Sequence, residues 1–255
     1  INNHPETVFS SYQGQGPGEI TIIGHVGIDE TNRRFFVSDH GKLKIFAYDL
    51  DSVLTTPEYQ PSVKIDMKKK LFPDDYLYLN DTLCIAKIIE PIGNNDYKPS
   101  VARWNMATGE INPMPYEYPD LKKVRFIYAA SAEHQLYVQC YTQYDLMTIC
   151  DFNGNLKCNI YGPKWVNEKT QTQHYSLGVE FCGDKILALY SGGDHRTDAY
   201  YPTKFLVFDL NGNYLKTLET GYMITDFCYD KENNRLIINL NDEIQFTYLD
   251  LEGII

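Results

Sequence analysis

The sequence predicts an all-β, single-domain β-propeller that spans residues 1–255 and is built from four-stranded blades. The main observation is a recurring sequence motif, in which a β-rich run ends in aspartate or asparagine and a short polar turn follows. The aspartate or asparagine of this motif stands at positions 49, 105, 151, 209 and 250, so that successive copies lie 56, 46, 58 and 41 residues apart. Repeats of about 50 residues that carry hairpin turns are typical of propeller blades. No stretch shows sustained helical periodicity, which also favours an all-β fold.

Five repeats can be counted, and they cover approximately residues 20–70, 75–118, 122–162, 174–219 and 222–255. Alternating apolar and polar residues between turn signals predict the strands within each repeat. The predicted strands are 22–28, 34–38, 43–48 and 62–67 in the first repeat; 76–79, 83–89, 101–105 and one near Ile111 in the second; 124–129, 136–141, 146–150 and 156–161 in the third; 175–181, 185–190, 205–208 and 214–218 in the fourth; and 224–229, 235–240 and 244–248 in the fifth. Short helical turns are expected at 51–56 and 167–173.

The fifth repeat lacks a fourth strand, whereas residues 6–12 form an extra alternating run before the first repeat. In closed propellers a terminal strand commonly completes the last blade, because this removes an exposed sheet edge. The sequence therefore predicts five blades in a ring that is closed by the N-terminal strand.

The net charge of −11 argues against nucleic acid or an anionic membrane surface as the main partner. No apolar stretch reaches the roughly 18 residues that would span a membrane. The six cysteines form no C-x-x-C pair, so their spacing indicates no zinc site. Most lie in apolar runs and are expected to be buried, while a disulfide among Cys140, Cys150 and Cys158 is left open.

Candidate binding residues lie mainly in the loops that enter each blade or join its second and third strands. These loops converge at one end of a propeller channel, where rigid strands position them. The loops at 90–99 and 191–202 are the longest, and they are rich in tyrosine, asparagine and aspartate. The ligand-binding candidates are Asp39, His40, Tyr144, His174, Tyr175, Asp194, His195, Arg196, Tyr200 and Tyr201. Further blade-entry candidates for the channel mouth are His25, Arg125 and Asp226.

No cofactor motif is present, and no resident metal is predicted. Two Asp–His pairs, at 39–40 and 194–195, have ligand types suited to a divalent cation. Turn capping by Asp39 is the alternative interpretation of the first pair.

A catalytic alternative is a five-bladed glycoside hydrolase or lyase. Such a hydrolase needs two carboxyl groups about 5–9.5 Å apart. The candidate carboxylates are Asp39, Asp75, Asp145, Asp194 and Asp226. No G-x-S-x-G elbow is present, and the sequence favours a protein that is not an enzyme.

Two segments resemble known propeller families. Residues 36–46 (FVSDHGKLKIF) resemble the strand, aspartate, basic turn, strand order of NHL-type propellers. With residues 14–19 (GQGPGE) before them, the first 50 or so residues look like the TolB-like propeller proteins secreted by Bacteroidetes. The resemblance implies a periplasmic or cell-surface protein, with a lipid anchor and without established enzymatic activity. It also implies six blades, where five repeats are counted here.

The combined hypothesis is an extracytoplasmic propeller that binds a carbohydrate or a peptide at its loop-rich rim without catalysis. A protein–protein scaffold of an envelope complex is a second alternative beside the hydrolase or lyase. The expected protein is a monomer that does not span the membrane and does not bind nucleic acid.

Overall fold

The computed structural model describes residue 10 and residues 12–56, 58–93 and 96–255. The chain is all-β, as predicted, and its strands form five antiparallel sheets in which consecutive strands are neighbours. This strand order is that of propeller blades, so the prediction of a β-propeller is confirmed. The chain divides into two compact units, Ile1–Met114 with two sheets and Pro115–Ile255 with three.

The first unit contains two four-stranded sheets. The first sheet consists of β1 (Ile23–Asp29), β2 (Arg34–Asp39), β3 (Lys44–Asp49) and β4 (Ser62–Asp66). The second consists of β5 (Phe72–Asn80), β6 (Leu83–Pro91), β7 (Tyr97–Asn105) and β8 (Glu110–Pro113). A short helix, α1 (Leu50–Thr55), joins β3 to β4 and confirms the helical turn expected at 51–56.

The second unit contains three sheets. The third sheet of the chain consists of β9 (Phe126–Ser131), β10 (Leu136–Tyr141), β11 (Leu146–Asp151) and β12 (Leu156–Tyr161). The fourth consists of β13 (Thr172–Cys182), β14 (Lys185–Asp194), β15 (Lys204–Asp209) and β16 (Tyr214–Glu219). The fifth consists of β17 (Ile224–Asp230), β18 (Arg235–Leu240) and β19 (Phe246–Asp250).

The recurring turn residue has the same task at each of its five positions. Its side-chain oxygen accepts hydrogen bonds, 2.7–3.0 Å long, from backbone N–H groups two to four residues later. This local bonding competes with strand pairing and ends the strand, which is why aspartate and asparagine mark the turns. The five residues are Asp49, Asn105, Asp151, Asp209 and Asp250.

Adjacent sheets of the second unit pack face to face through strict alternation along their strands. In β14, Ile186 and Ala188 belong to the apolar cluster shared with the third sheet, whereas Leu187 and Leu189 belong to the cluster shared with the fifth. A glycine allows one close approach between the fourth and fifth sheets, because a Cβ at Gly178 would lie 2.8 Å from the Phe227 ring. Burial on both faces explains the nearly continuous apolar runs of the central strands.

The fifth sheet is buried on one face only. In β18, Leu236, Ile238 and Leu240 are buried against the fourth sheet, while the residues between them are half-buried. On β19, Phe246 and Tyr248 are each 63% exposed. The segment 6–12, which was predicted to add a fourth strand here, lies outside the described residues apart from Ser10 and Tyr12.

Three expectations need correction or completion. The segment 167–173 is not helical, and its end already belongs to β13; the helical turn lies instead at Asp198–Tyr200, as one turn of 3-10 helix. The loops predicted at 90–99 and 191–202 are shorter than expected, because β6 continues to Pro91, β7 begins at Tyr97 and β14 continues to Asp194 as paired hairpin ends. All six cysteines are free thiols, and four of them are buried.

The helices of the described segments are short. None is long and apolar enough to cross a membrane.

Candidate functional site

The candidate site lies at the end of the third and fourth sheets where β10 meets β11 and where β13 begins. The segment between β12 and β13 is fastened there by hydrogen bonds to the β10–β11 turn. Thr170 N donates to Gln143 O at 3.3 Å, and His174 N donates to Thr142 O at 2.7 Å. The extended end of β14 lies beside it, since Thr172 pairs with Asp194.

The rim loop, defined here as residues 194–201, connects β14 to β15. Ser191 holds it in place, because its Oγ donates to Ala199 O at 2.6 Å and accepts from Gly193 N at 3.0 Å. Gly193 is required at this point, since a Cβ there would lie 1.8 Å from the same carbonyl oxygen. Thr197 caps the 3-10 turn by accepting from Ala199 N. The loop is therefore fixed to the hairpin that bears it.

The polar groups of the rim loop are organised around Asp194. Its carboxylate accepts from Arg196 Nε at 3.0 Å and from Nη2 at 2.6 Å, a two-point ion pair. Hydrogen bonding to this guanidinium lowers the pKa of Asp194, which stays ionised. His195 Nδ1 donates to Gln171 O at 2.8 Å. A carbonyl oxygen only accepts, so Nδ1 carries a proton.

An aromatic pair ends the rim loop. The rings of Tyr200 and Tyr201 are stacked, with centroids 4.3 Å apart and planes 28° apart. Both side chains are half-buried. A hydrogen bond to Tyr201 raises the pKa of the Tyr200 phenol, so the Tyr200 ring is neutral at physiological pH. Stacked tyrosines with free edges offer an apolar surface next to the ionic pair.

A buried polar cluster lies beneath this surface. The His174 and Asp145 side chains are each 1% exposed, and His174 Nδ1 lies 3.7 Å from Asp145 Oδ1 and 3.3 Å from the Tyr190 hydroxyl. Asp145 Oδ2 accepts from Lys164 N at 2.9 Å, while Oδ1 has no hydrogen-bond partner among the residues described. Tyr175 packs edge-on against Tyr190 at 5.3 Å.

Burial is the main cause of the lowered pKa of His174, since a buried imidazole resists charging. The Asp145 carboxylate opposes this shift and the Lys164 ammonium adds to it. Burial, and then the charge of Asp145, raises the pKa of the Tyr190 phenol. His174 is therefore neutral at pH 7. Its side chain is a buried structural group beneath the rim loop and does not face solvent.

This lowered pKa predicts a pH-dependent stability. Because the unfolded state binds a proton on His174 more readily than the folded state does, the free energy of unfolding should fall as the pH drops below about 6.5, and it should level off above it. Replacing His174 with Gln should remove this contribution. The measurement is urea unfolding of both proteins between pH 5 and pH 8.

The control is His195→Gln, which changes an exposed imidazole and should keep the wild-type pH profile. Equal pH profiles for the wild type and His174→Gln would contradict the prediction.

Tyr144 is a structural residue at this end of the unit. Its side chain is 2% exposed, and its hydroxyl donates to Lys122 O at 2.8 Å and accepts from Lys122 N at 3.2 Å. Together with Tyr144, seven other predicted ligand-binding residues lie at this end of the second unit, some in the rim loop and some in the buried cluster. They are His174, Tyr175, Asp194, His195, Arg196, Tyr200 and Tyr201.

Asp39 and His40 lie in the first unit. Asp39 is fully buried, and its carboxylate accepts from the backbone N–H groups of Thr21, Ile22, Gly41 and Lys42 at 2.8–3.1 Å. This is the turn-capping alternative that the sequence left open. The His40 ring packs against Gly24 and Phe72, and its buried Nε2 has no hydrogen-bond partner within the described ranges.

The remaining candidates are also held by neighbours. His25 Nδ1 pairs with Asp75 Oδ1 at 2.9 Å in the first unit. Arg125 donates to Val124 O at 2.7 Å, beside the β10–β11 turn. Asp226 accepts from Phe227 N at 2.8 Å, and partial burial of its carboxylate raises its pKa, although the side chain remains more than a third exposed.

In the residues described there is no group of three or more His, Cys, Asp or Glu side chains arranged to hold a metal ion.

One group of aromatic residues was missed by sequence reasoning. Tyr118, Tyr161 and Trp165 meet beside the buried cluster, and Trp165 also lies 6.3 Å from the Tyr144 ring. The only signal in the sequence was the closeness of Tyr161 and Trp165 just after a predicted strand. Tyr118 lies 43 residues before Tyr161, so no local pattern connects them.

Comparison with known proteins supports the fold. A family model described as DUF5128, 6-bladed beta-propeller, matches residues 11–82. No curated protein matches the sequence. The NHL-type and TolB-like resemblance of the same region stays a prediction.

Solved structures match nearly the whole chain at low identity. A member of the DUF4221 family from Bacteroides vulgatus is 12% identical with a TM-score of 0.61, covering 95% of this chain and 82% of that one. The extracellular domain of BT4673 from B. thetaiotaomicron is 10% identical with a TM-score of 0.58, covering 91% of this chain and 28% of that one. A chain of the nidogen/laminin complex is 12% identical with a TM-score of 0.56, covering 91% and 76%. These likenesses show the propeller fold.

Proposed function

We propose that the protein is an extracytoplasmic propeller that binds a carbohydrate or a peptide at the rim loop and catalyses no reaction. The observation that carries this proposal is the composition and fixation of that loop. It presents a guanidinium–carboxylate pair, an imidazole and a stacked pair of phenol rings on one rigid hairpin. Charged donors and acceptors beside apolar rings are what a small polar ligand needs for orientation and affinity.

The states of the aspartates favour binding over catalysis. A glycosidase needs one carboxyl group that gives up its proton and a second, ionised one across the substrate. The Asp39 carboxylate accepts hydrogen bonds from four backbone amides, Asp145 is buried, and Asp194 is paired with Arg196. Asp75 is paired with His25, whereas partial burial raises the pKa of Asp226 and no cation within the described ranges pairs with it.

Two likenesses support a location outside the cytoplasm. One matched structure is an extracellular domain, and another is part of a complex between nidogen and laminin. Binding residues are found disproportionately on loops that a rigid scaffold positions. The lipid anchor implied by the resemblance of the first 50 or so residues belongs to the same proposal.

The test is a thermal-shift screen of the protein against neutral and acidic oligosaccharides and short peptides. A ligand that binds only the folded state stabilises it by about 2.7 kcal/mol at a hundredfold excess over its dissociation constant. We expect a hit whose shift is lost in Arg196→Ala and in Tyr200→Ala. Lys231→Ala, which breaks another exposed ion pair with Glu133, should leave the shift intact.

A ligand that is cleaved during incubation would replace the binding proposal with the hydrolase or lyase alternative. The absence of any shift, together with capture of an envelope protein, would replace it with the scaffold alternative.

A further inference from the structure

A second aromatic surface lies at the same end of the second unit as the rim loop. The stacking platform, defined as Tyr118, Tyr161 and Trp165, has ring centroids 5.1–6.4 Å apart. Tyr161 is 51% exposed, and the other two side chains are half-buried. Each ring is therefore partly packed against its neighbours and partly open to solvent. Such rings offer apolar area together with a polar edge.

The platform is held rigidly. The Tyr118 and Tyr161 hydroxyls lie 3.3 Å apart, and this hydrogen bond, with burial, raises the pKa of Tyr118 to about 12. Trp165 N donates to Gly162 O at 3.1 Å, which closes a tight turn after β12. The same turn is also held by a hydrogen bond that Lys164 N donates to the buried Asp145 carboxylate. A surface that is already ordered loses little entropy when it binds a ligand.

Lys164 connects the platform to the rim loop. It precedes Trp165 in the chain. Its ammonium group lies beside Gly192 of the β14 hairpin, since a Cβ placed on that glycine would be 3.7 Å from Lys164 Nζ. The next residue, Gly193, contacts Ala199, which precedes the Tyr200–Tyr201 pair. Lys164 therefore lies near both the turn that carries Trp165 and the hairpin that carries the rim loop, at one end of the third and fourth sheets.

We propose that the stacking platform and the Tyr200–Tyr201 pair are two subsites for pyranose rings of one neutral oligosaccharide, with Lys164 donating to hydroxyls between them. This inference rests on the proposed function and deepens it, because it selects carbohydrate over peptide. A pyranose ring has an apolar C–H face and a rim of hydroxyls. Aromatic faces and an ammonium donor match these two features.

A peptide fits the surface less well. One common mode of peptide recognition adds a strand to a sheet edge and needs open main-chain groups there. Here the carbonyls of Gln171 and Ala199 already accept from His195 and Ser191. A standard protein partner needs about 800 Å² per side, which is far more than three partly open rings supply.

The test is titration of the whole protein with hexasaccharides of glucan, xylan and mannan types, and with the matching disaccharides. Trp165 is a built-in reporter, since the chain has two tryptophans and Trp104 is 2% exposed. We expect one hexasaccharide to change the fluorescence on binding and to bind at least tenfold more tightly than its disaccharide. Trp165→Ala and Tyr161→Ala should each weaken binding at least tenfold by calorimetry, and Trp165→Phe should restore it to within threefold.

Tyr214→Ala is the matched control, because this tyrosine is 56% exposed on β16. Its affinity should equal that of the wild type. Loss of binding in Tyr200→Ala with unchanged binding in both platform variants would overturn the inference while the proposed function stands. Binding of peptides but of no hexasaccharide would also overturn the inference alone. If neither class binds, both proposals fail. Melting curves of every variant separate lost binding from lost folding.

Discussion

Replacing Asp39 with Ala should destabilise the first unit by about 4 kcal/mol, because four backbone donors lose the one buried, charged acceptor that they share. The donors belong to Thr21, Ile22, Gly41 and Lys42, and they join the segment before β1 to the β2–β3 turn. Water cannot replace the carboxylate easily, since the residue is fully buried. The measurement is urea unfolding followed by Trp104 fluorescence in a Trp165→Phe background, in which the emission reports on the first unit.

The same carboxylate predicts a loss of stability in acid. Burial alone would raise the pKa of Asp39, but the four backbone N–H groups outweigh it and hold the pKa below its ordinary value. A depressed pKa contributes stability that is present above the unfolded value of about 3.9 and is lost as the pH falls through the folded value. Asp39→Asn should remove this pH dependence while keeping part of the hydrogen bonding.

The control for Asp39 is Asp51→Ala. Asp51 forms an exposed ion pair with Arg33 in the same unit, and such pairs contribute little. The free energy of unfolding should stay close to that of the wild type. A cost for Asp39→Ala no larger than that of Asp51→Ala would show that the buried carboxylate does not hold the turn.

Gly162→Ala should destabilise the second unit by about 3 kcal/mol through overpacking. An added Cβ would lie 2.2 Å from the Asp145 carboxylate, which is buried and held by Lys164 N. The clash should also displace Trp165, whose backbone N–H bonds to Gly162. Urea unfolding of the wild type and the variant, followed by Trp165 fluorescence in a Trp104→Phe background, checks the stability.

A double-mutant cycle tests the stated cause of this effect. In Asp145→Ala the clashing carboxylate is absent, so Gly162→Ala should cost less than about 1 kcal/mol there, which gives a large coupling energy. An equal cost in both backgrounds would mean that the loss of glycine flexibility, rather than the contact with Asp145, sets the stability.

The sequence predicted the strands well because their signals are local. The strands 136–141, 156–161 and 235–240 have the predicted limits, and the turns that bound them are capped by side chains two to four residues away. The extents of β6, β7 and β14 were underestimated for the opposite reason. Their outer residues are polar, and a neighbouring strand, rather than their own propensity, makes them β.

The candidate site was less predictable because its contacts are distant in the chain. From the sequence, Asp39 could bind a ligand or cap its own turn. Which role it has depends on the backbone amides of Thr21 and Ile22, which lie 17 to 18 residues earlier. The pairing of His174 with Asp145 and the meeting of Tyr118 with Tyr161 depend in the same way on how the sheets stack.

The one-sided burial of the fifth sheet has a consequence for the dynamics of the second unit. All six residues of β10 are buried, whereas β18 is buried at alternate positions and β19 at none. Regions with fewer buried apolar contacts open more often on their own, and their amide hydrogens exchange sooner. The amides of 224–250 should therefore exchange first among the three sheets, and proteases should first cut the unit there.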